Sequence, residues 1–443
     1  MLDPTEFNST DTPQCEWTSQ SWKKIATIAQ NVEYEDMTAL DEVCNTIASL
    51  PPLVSPAKIE IARTQFAAAA QGRAFIVQGG DCAENFDDVR PHIINQKVSL
   101  LQEQSRMVAQ GLNLPVVTVG RIAGQYAKPR SNPWETLPDG TKIHAFRGHS
   151  VNGVGLGERR PEPQRLLLAY FHARATLDLM KGGRLPPTPL SPDPSTPDLS
   201  VPDTGDALLQ KMATPFEGPE QTIFTSHEAL HLPFESAVTH GRYNTSASFV
   251  WIGERSRHLD GAHVEYVRGL RNPIGVKVGP AMDGPSLVGL LDALCPDPGN
   301  KDSIGRVTII TRLGADHVEK VLPSLIEAVK KTNHCPVWMC DPCHGNTRTT
   351  TEGVKTRQVD RILEELKKTY QTHWVNNSTL GGLHLEQTGE FVTECLDDTD
   401  LESEKKLGLN YRSLCDPRLS NIQALKVVRD FVDFVHELLS QKE

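Results

Sequence analysis

The stretch AFIVQGGDC, Ala74 to Cys82, is a short apolar run that hands a thiol to the loop after it. The same sentence is written seven more times. PVVTVGR ends at Arg121, TIFTSHE at His227 and Glu228, and FVWIGER at Glu254 and Arg255. PIGVKVG carries Lys277, VTIITR ends at Arg312, PVWMCDPCH at His344, and LGGLHLE at Glu386. Runs this short and this apolar read as strands buried on both faces, the condition of a parallel sheet covered by helices. Eight of them, each ending in a charged or metal-capable side chain, predict an α/β chain folded as a (β/α)8 barrel. Such barrels place their chemistry at the C-terminal ends of the strands.

The bulk composition sets the outer limits. With 443 residues, 38% hydrophobic and 23% charged, the chain is long enough for one elaborated barrel or two to three smaller domains. A net charge of −11 and the lack of a basic tract argue against a nucleic-acid partner. Anionic small molecules remain compatible, because a few converging arginines and lysines create a local positive field on an acidic protein. No run of 18 apolar residues occurs, so no membrane span is expected. MLDPTEFNSTDTPQCEW reads as neither a signal nor a transit peptide, and the nine scattered cysteines do not look like a disulfide framework. A cytoplasmic protein is expected.

Residues 1–70 precede the first run and read as an N-terminal helical extension, and residues 71–443 as the barrel unit. Trp17 to Ala29 and Met37 to Ser49 predict short helices stopped by Pro51-Pro52. The extension is expected to pack on the barrel or on a second subunit. Ile94 to Gly111 and His317 to Thr332 predict two of the barrel helices. Asn421 to Gln441 predicts an amphipathic C-terminal helix with Leu425, Val428, Val432, Val435 and Leu439 on one face. Gly182 to Asp206 holds seven prolines without periodicity and reads as a loop-like insertion spanning residues 182–206.

Arg121, Lys128, Arg130, Arg255, Lys277 and Arg312 stand at or just after strand ends. Six cations on one rim suit a substrate with several phosphate or carboxylate oxygens, against the alternative that each pairs with a nearby acid. Cys82, His344 and Glu386 end runs one, seven and eight, which barrel closure makes neighbours, and Asp416 could complete a set of four. A thiolate, an imidazole and two carboxylates suit Mn²⁺, Fe²⁺, Co²⁺ or Zn²⁺. The alternative is a buried Cys82 and a structural His344. Cys340-Asp-Pro-Cys343-His344 matches the haem-attachment pattern, but no export signal accompanies it. Ser226 and Ser246 lack a nucleophile elbow, and His231 and His240 read as solvated helix positions.

QGGDCAENF, GRIAGQYAKPRS, TSHEAL, WIGERSRHLDGAHVEYVRGLRNPIGVKVGP, CDPCHGNT, GGLHLEQTGEFVTECL and YRSLCDPRL together resemble the type II (plant-like) 3-deoxy-D-arabino-heptulosonate 7-phosphate (DAHP) synthases. The resemblance runs from about Trp17 to the C-terminal helix. It implies condensation of phosphoenolpyruvate with erythrose 4-phosphate and water, at the head of the shikimate pathway. It implies a divalent metal, Mn²⁺ first among the candidates, held by Cys82, His344, Glu386 and Asp416. It places Arg121, Glu254, Arg255, Lys277 and Arg312 around phosphoenolpyruvate, with Lys277, Glu254 and Arg255 as the catalytic set. Lys128, Arg130 and Ser131 would line the aldose phosphate side. A homo-oligomer is expected.

Two departures bear on this. The family usually reads R-G-D-x-V-N where this chain has Arg147-Gly148-His149-Ser150-Val151-Asn152, so a negative charge near the substrate basin is lost and His149 could add a positive one. The proline-rich segment also replaces a recognisable Trp-containing helical region. A paralogue using a modified aldose phosphate and a non-catalytic regulatory homologue therefore stay open on sequence grounds.

Overall fold

The computed structural model of the chain describes residues 17–182, 222–397 and 401–440. Past Gly182 the proline-rich insertion lies outside the described residues.

All eight apolar runs are strands: Phe75–Gly80, Val116–Arg121, Phe224–Glu228, Phe249–Ile252, Ile274–Val278, Val307–Thr311, Val337–Cys340 and Gly382–Glu386. They pair in parallel in chain order, and the eighth closes on the first. Gly80 is the register partner of both Arg121 and Glu386, so Cys82 emerges between the ends of the second and eighth strands. Gly80 adopts φ 145°, and a Cβ there would lie 2.6 Å from the Arg121 carbonyl oxygen, so only glycine fits this turn.

Alternation along the strands separates two cores. Ile76, Val119, Phe224, Phe249, Trp251, Ile310, Val337 and Met339 fill the barrel interior. Val77, Val250, Ile252, Ile274, Val276 and Leu383 belong to the larger core shared with the helices. A Cβ at Gly275 would come within 2.8 Å of both Trp251 and Phe249, so the aromatic filling leaves no room for a side chain there.

The barrel floor comes from the extension. Ser55 caps the helix Pro56–Ala70, with proline in its first turn. Its Ala62, Phe66 and Ala69 join the interior cluster, and the Phe66 ring lies 4.8 Å from that of Phe249. This part of the extension thus packs on the barrel.

The helix Met37–Ser49 forms as expected. Trp17 to Ala29 does not form the expected helix; only a 3-10 turn, Ser21–Lys24, appears. Its two indoles are anchored to separate places, Trp22 Nε1 to Ser236 Oγ at 2.5 Å and Trp17 Nε1 to the Glu265 carbonyl at 3.1 Å, which holds the chain across the surface. The barrel helices run Pro91–Leu112 and Val318–Lys330, a few residues from the expected bounds. The C-terminal helix, Asn421–Ser440, buries Leu425, Val428, Val432 and Val435. Leu439, expected on the same face, is exposed. His436 already meets the carbonyl of Gly111 at the end of the helix Pro91–Leu112, so the last turn runs past its support. Among the described residues no helix is long and apolar enough to cross a membrane.

Candidate active site

The C-terminal rim brings together most of the side chains singled out from sequence. Ligand atoms of Cys82, Glu386 and Asp416 all lie within 4.8 Å of one another. His344 joins at the edge, its Nε2 3.0 Å from Glu386 Oε1 and its Nδ1 2.6 Å from Asp341 Oδ2. That carboxylate contact leaves Nε2 as the nitrogen facing the cluster, the usual arrangement of a metal-binding histidine. Glu386 Oε1 is buried beside His344 Nε2 and Arg121 Nη1 but accepts no well-directed hydrogen bond, which suits it to a ligand role. Thiol, carboxylates and imidazole thus fit a first-row divalent ion.

Charges around the cluster are arranged in opposition. Burial alone would push the Glu386 carboxyl up, but His344, Lys128, Arg357 and Arg121 around it hold it well below the usual range. Arg357 Nη2 is 2.7 Å away in a pair with no exposure, and Arg121 Nη1 is 3.2 Å from Oε1. Burial pushes the Cys82 thiol up, so a cation in the cluster would be needed to favour the thiolate. Lys128 lies against the cluster, 2.6 Å from Cys82 Sγ and 2.7 Å from Asp416 Oδ2. Lys355 reaches Asp416 Oδ1 at 2.9 Å from outside.

Lys277 projects inward from the fifth strand, is 5% exposed and contacts Asp341. Burial lowers its pKa and Arg121 adds to the effect, while Asp341 opposes them. Arg312 pairs with Glu254 and donates to the His344 carbonyl at 3.1 Å. A Cβ at Gly279 would lie 2.2 Å from Glu254 Oε1, so that glycine makes room for the carboxylate. Arg255 donates to Ser131 Oγ at 2.9 Å, joining the fourth strand end to the loop after the second. In that loop Arg130 donates to the Phe146 carbonyl at 2.6 Å and lies 3.7 Å from Cys415 Sγ.

A buried clamp links the two loops that carry Cys82 and Asp416. Arg418 Nη1 is 2.6 Å from Asp81 Oδ1, and its Nη2 is 2.8 Å from Glu394 Oε1. Glu394 also accepts from the backbone N–H of Ser413 at 2.8 Å and of Arg418 at 2.7 Å, holding the Asp416 loop. On the other side, Lys97 Nζ lies 2.6 Å from Asp81 Oδ2.

Sequence reasoning gave no role to Asp341, His384, Gln78 or Arg357. His384 and Gln78 had a signal: they stand two residues before Glu386 and Gly80, and period-two alternation puts them on the same inward face. Arg357 had none, because it comes from the ribbon Thr347–Thr349 with Lys355–Arg357 after the seventh strand.

Three histidines depart from expectation. His240 is half-buried in the short strand Thr239–His240 rather than solvated on a helix. The surroundings of His149 disfavour the expected positive charge. Burial lowers its pKa, Arg165 pushes the same way, and its ring lies 5.1 Å from Phe86 and 5.4 Å from Phe146. His231 is buried rather than solvated, with Nε2 3.0 Å from the Tyr34 hydroxyl. Burial, aided by Arg147 and His263, lowers its pKa from 6.5 to about 3. Below about pH 6.5 the unfolded chain takes a proton that the folded chain refuses. The associated stability is full above that pH and is lost as pH falls, by about 3 kcal/mol at pH 4. His231→Gln is expected to flatten this acid limb in urea denaturation between pH 7 and pH 4; an unchanged limb would contradict the assignment.

A closed parallel barrel with this rim defines a TIM-barrel enzyme. Comparison with known proteins narrows the class. The model of the Class-II DAHP synthetase family matches residues 17–184 and 210–431. A Neurospora crassa protein named phospho-2-dehydro-3-deoxyheptonate aldolase is 39% identical over 96% of this chain and 96% of its own. A Streptomyces coelicolor protein of the same name is 38% identical, covering 91% and 94%. One from Mycolicibacterium smegmatis, phospho-2-dehydro-3-deoxyheptonate aldolase AroG, is 37% identical over 88% and 89%. The chain belongs to the class-II DAHP synthetase family.

Proposed function

We infer that the chain is a DAHP synthase, a transferase that joins phosphoenolpyruvate, D-erythrose 4-phosphate and water into DAHP and phosphate at the entry to the shikimate pathway. Near-full-length relationship to proteins named for this reaction supports the activity. The observation that carries it to residues is the thiol and two carboxylates within 4.8 Å of one another at a cationic rim.

Cys82, His344, Glu386 and Asp416 would hold a divalent ion, Mn²⁺ in this reading, with Co²⁺, Fe²⁺ or Zn²⁺ able to use the same donors. When bound, such an ion supplies Lewis-acid polarisation of an aldehyde oxygen. Arg121, Arg255, Lys277 and Arg312 hold phosphoenolpyruvate by its carboxylate and phosphate, fixing its C3 toward the aldehyde carbon. Lys128, Arg130 and Ser131 line the aldose phosphate side, and the Arg255–Ser131 hydrogen bond ties the two halves together. As C3 bonds to the aldehyde carbon, the aldehyde oxygen takes up a proton and water adds at C2. Phosphate then leaves by C–O cleavage. Glu254, held by Arg312, orients that water.

In this reading residues 71–443 form the catalytic unit, residues 1–70 are its extension, and the enzyme assembles with further copies of itself in the cytoplasm. The test is phosphate release with phosphoenolpyruvate and erythrose 4-phosphate, paired with mass detection of the product. One phosphate per aldehyde consumed is the expected result. Release that appears only with a different aldose phosphate would overturn the substrate assignment.

A further inference from the structure

Arg121 and Lys277 approach each other across the barrel interior, and one side chain stands between them. His384 Nε2 is 2.8 Å from Arg121 Nη1 and 3.4 Å from Lys277 Nζ. Guanidinium and ammonium groups only donate, so Nε2 serves both only if it carries no proton.

The chain behind the ring fixes that state. The Gly120 carbonyl only accepts, so the single proton of Ser226 Oγ goes to it, at 3.0 Å. Ser226 Oγ must then accept from Gln78, which turns the amide nitrogen toward it at 2.9 Å. The amide oxygen is left facing His384 Nδ1 at 2.7 Å, and that nitrogen must donate. Gln78, Ser226 and His384 are all fully buried, so no solvent competes for these positions. The Trp251 ring closes the other side, 5.5 Å from the imidazole at 86°, with Arg121 and Lys277 5.2 Å and 5.9 Å from its centroid.

We propose that His384 is a positioning residue for the phosphoenolpyruvate clamp: the chain His384–Gln78–Ser226–Gly120 locks its Nε2 as an acceptor that aims Arg121 and Lys277 at one anion. This rests on the assignment of those two cations to phosphoenolpyruvate. Without the acceptor the two positive groups repel and diverge, and the geometry that fits a planar carboxylate is lost. The aldose side lies on Lys128, Arg130 and Ser131 and is untouched.

Steady-state kinetics of three variants in the metal-loaded enzyme test this. His384→Phe keeps the ring volume and removes the acceptor, and it is expected to raise KM for phosphoenolpyruvate about tenfold, as for one lost charge-assisted hydrogen bond. KM for erythrose 4-phosphate should stay within about twofold. His384→Gln returns an acceptor to the Nε2 position and should recover most of the phosphoenolpyruvate KM, a rescue that mere packing would not give. Gln78→Leu removes the lock two links from the cations and should shift the same constant in the same direction, which covers the case of a His384→Phe chain that does not fold. Equal KM values in the Phe and Gln variants, or parallel losses for both substrates, would overturn the proposal. A further readout needs no turnover: ¹⁵N NMR of the wild-type histidines should show His384 as the Nδ1–H tautomer, and protonation at Nε2 would overturn the lock. If the wild-type chain itself does not bind phosphoenolpyruvate while His384 shows that tautomer, the functional reading fails and the hydrogen-bond chain stands.

Discussion

Lys277→Met is expected to lower kcat/KM for phosphoenolpyruvate by roughly 10³-fold while the barrel stays folded. Mid-strand lysines facing a barrel interior are otherwise a liability, because burial disfavours the charged form. Here burial does lower the pKa, and Asp341 opposes it. Methionine fills the same volume and removes a positive charge from a site shielded from water, where a fixed charge acts most strongly on a developing one. Asp341 keeps His344 Nδ1 at 2.6 Å, so its carboxylate is not left bare and the loss of stability should fall below the 3–5 kcal/mol seen for fully broken buried pairs. Circular dichroism with steady-state kinetics checks both halves. A folded variant within tenfold of wild type would remove Lys277 from the catalytic set.

Arg418→Met should instead act on stability and metal retention together. Its guanidinium joins Asp81, next to Cys82, to Glu394, which holds the loop of Asp416. Truncation leaves Glu394 buried without its only ion-pair partner among the described residues, an effect of about 3–5 kcal/mol. Asp81 retains Lys97. With the two ligand-bearing loops uncoupled, divalent-metal affinity is expected to fall about 10–100-fold, the usual cost of losing groups that orient ligands. Chemical denaturation and metal titration of the same sample separate the two effects. Unchanged metal affinity in a destabilised variant would make the clamp purely structural.

The barrel was legible because each strand is a short apolar run ended by a polar residue, and closure alone makes Cys82, His344 and Glu386 neighbours. Asp416, beyond the eighth run, could be added only as a residue able to complete the set. What stayed hidden depended on contacts between distant loops. Arg357 reaches Glu386 from an antiparallel ribbon that has no apolar periodicity, and the contacts of Lys128 with Cys82 and Asp416 join loops far apart in sequence. The surroundings of His149 stayed hidden for a different reason. Its charge depends on burial among Phe86 and Phe146, and sequence gives no measure of that. Leu439 shows the limit of periodicity, which states which face is apolar but not where the supporting helix ends.

The most direct measurement is phosphate release from phosphoenolpyruvate and erythrose 4-phosphate by chelator-treated enzyme, with and without added Mn²⁺, alongside a Cys82→Ser variant. Release should collapse on chelation, return with the metal, and stay low in the variant at the same metal concentration. Full release by chelated enzyme, or an unaffected Cys82→Ser variant, would contradict a metal-dependent condensation at this cluster.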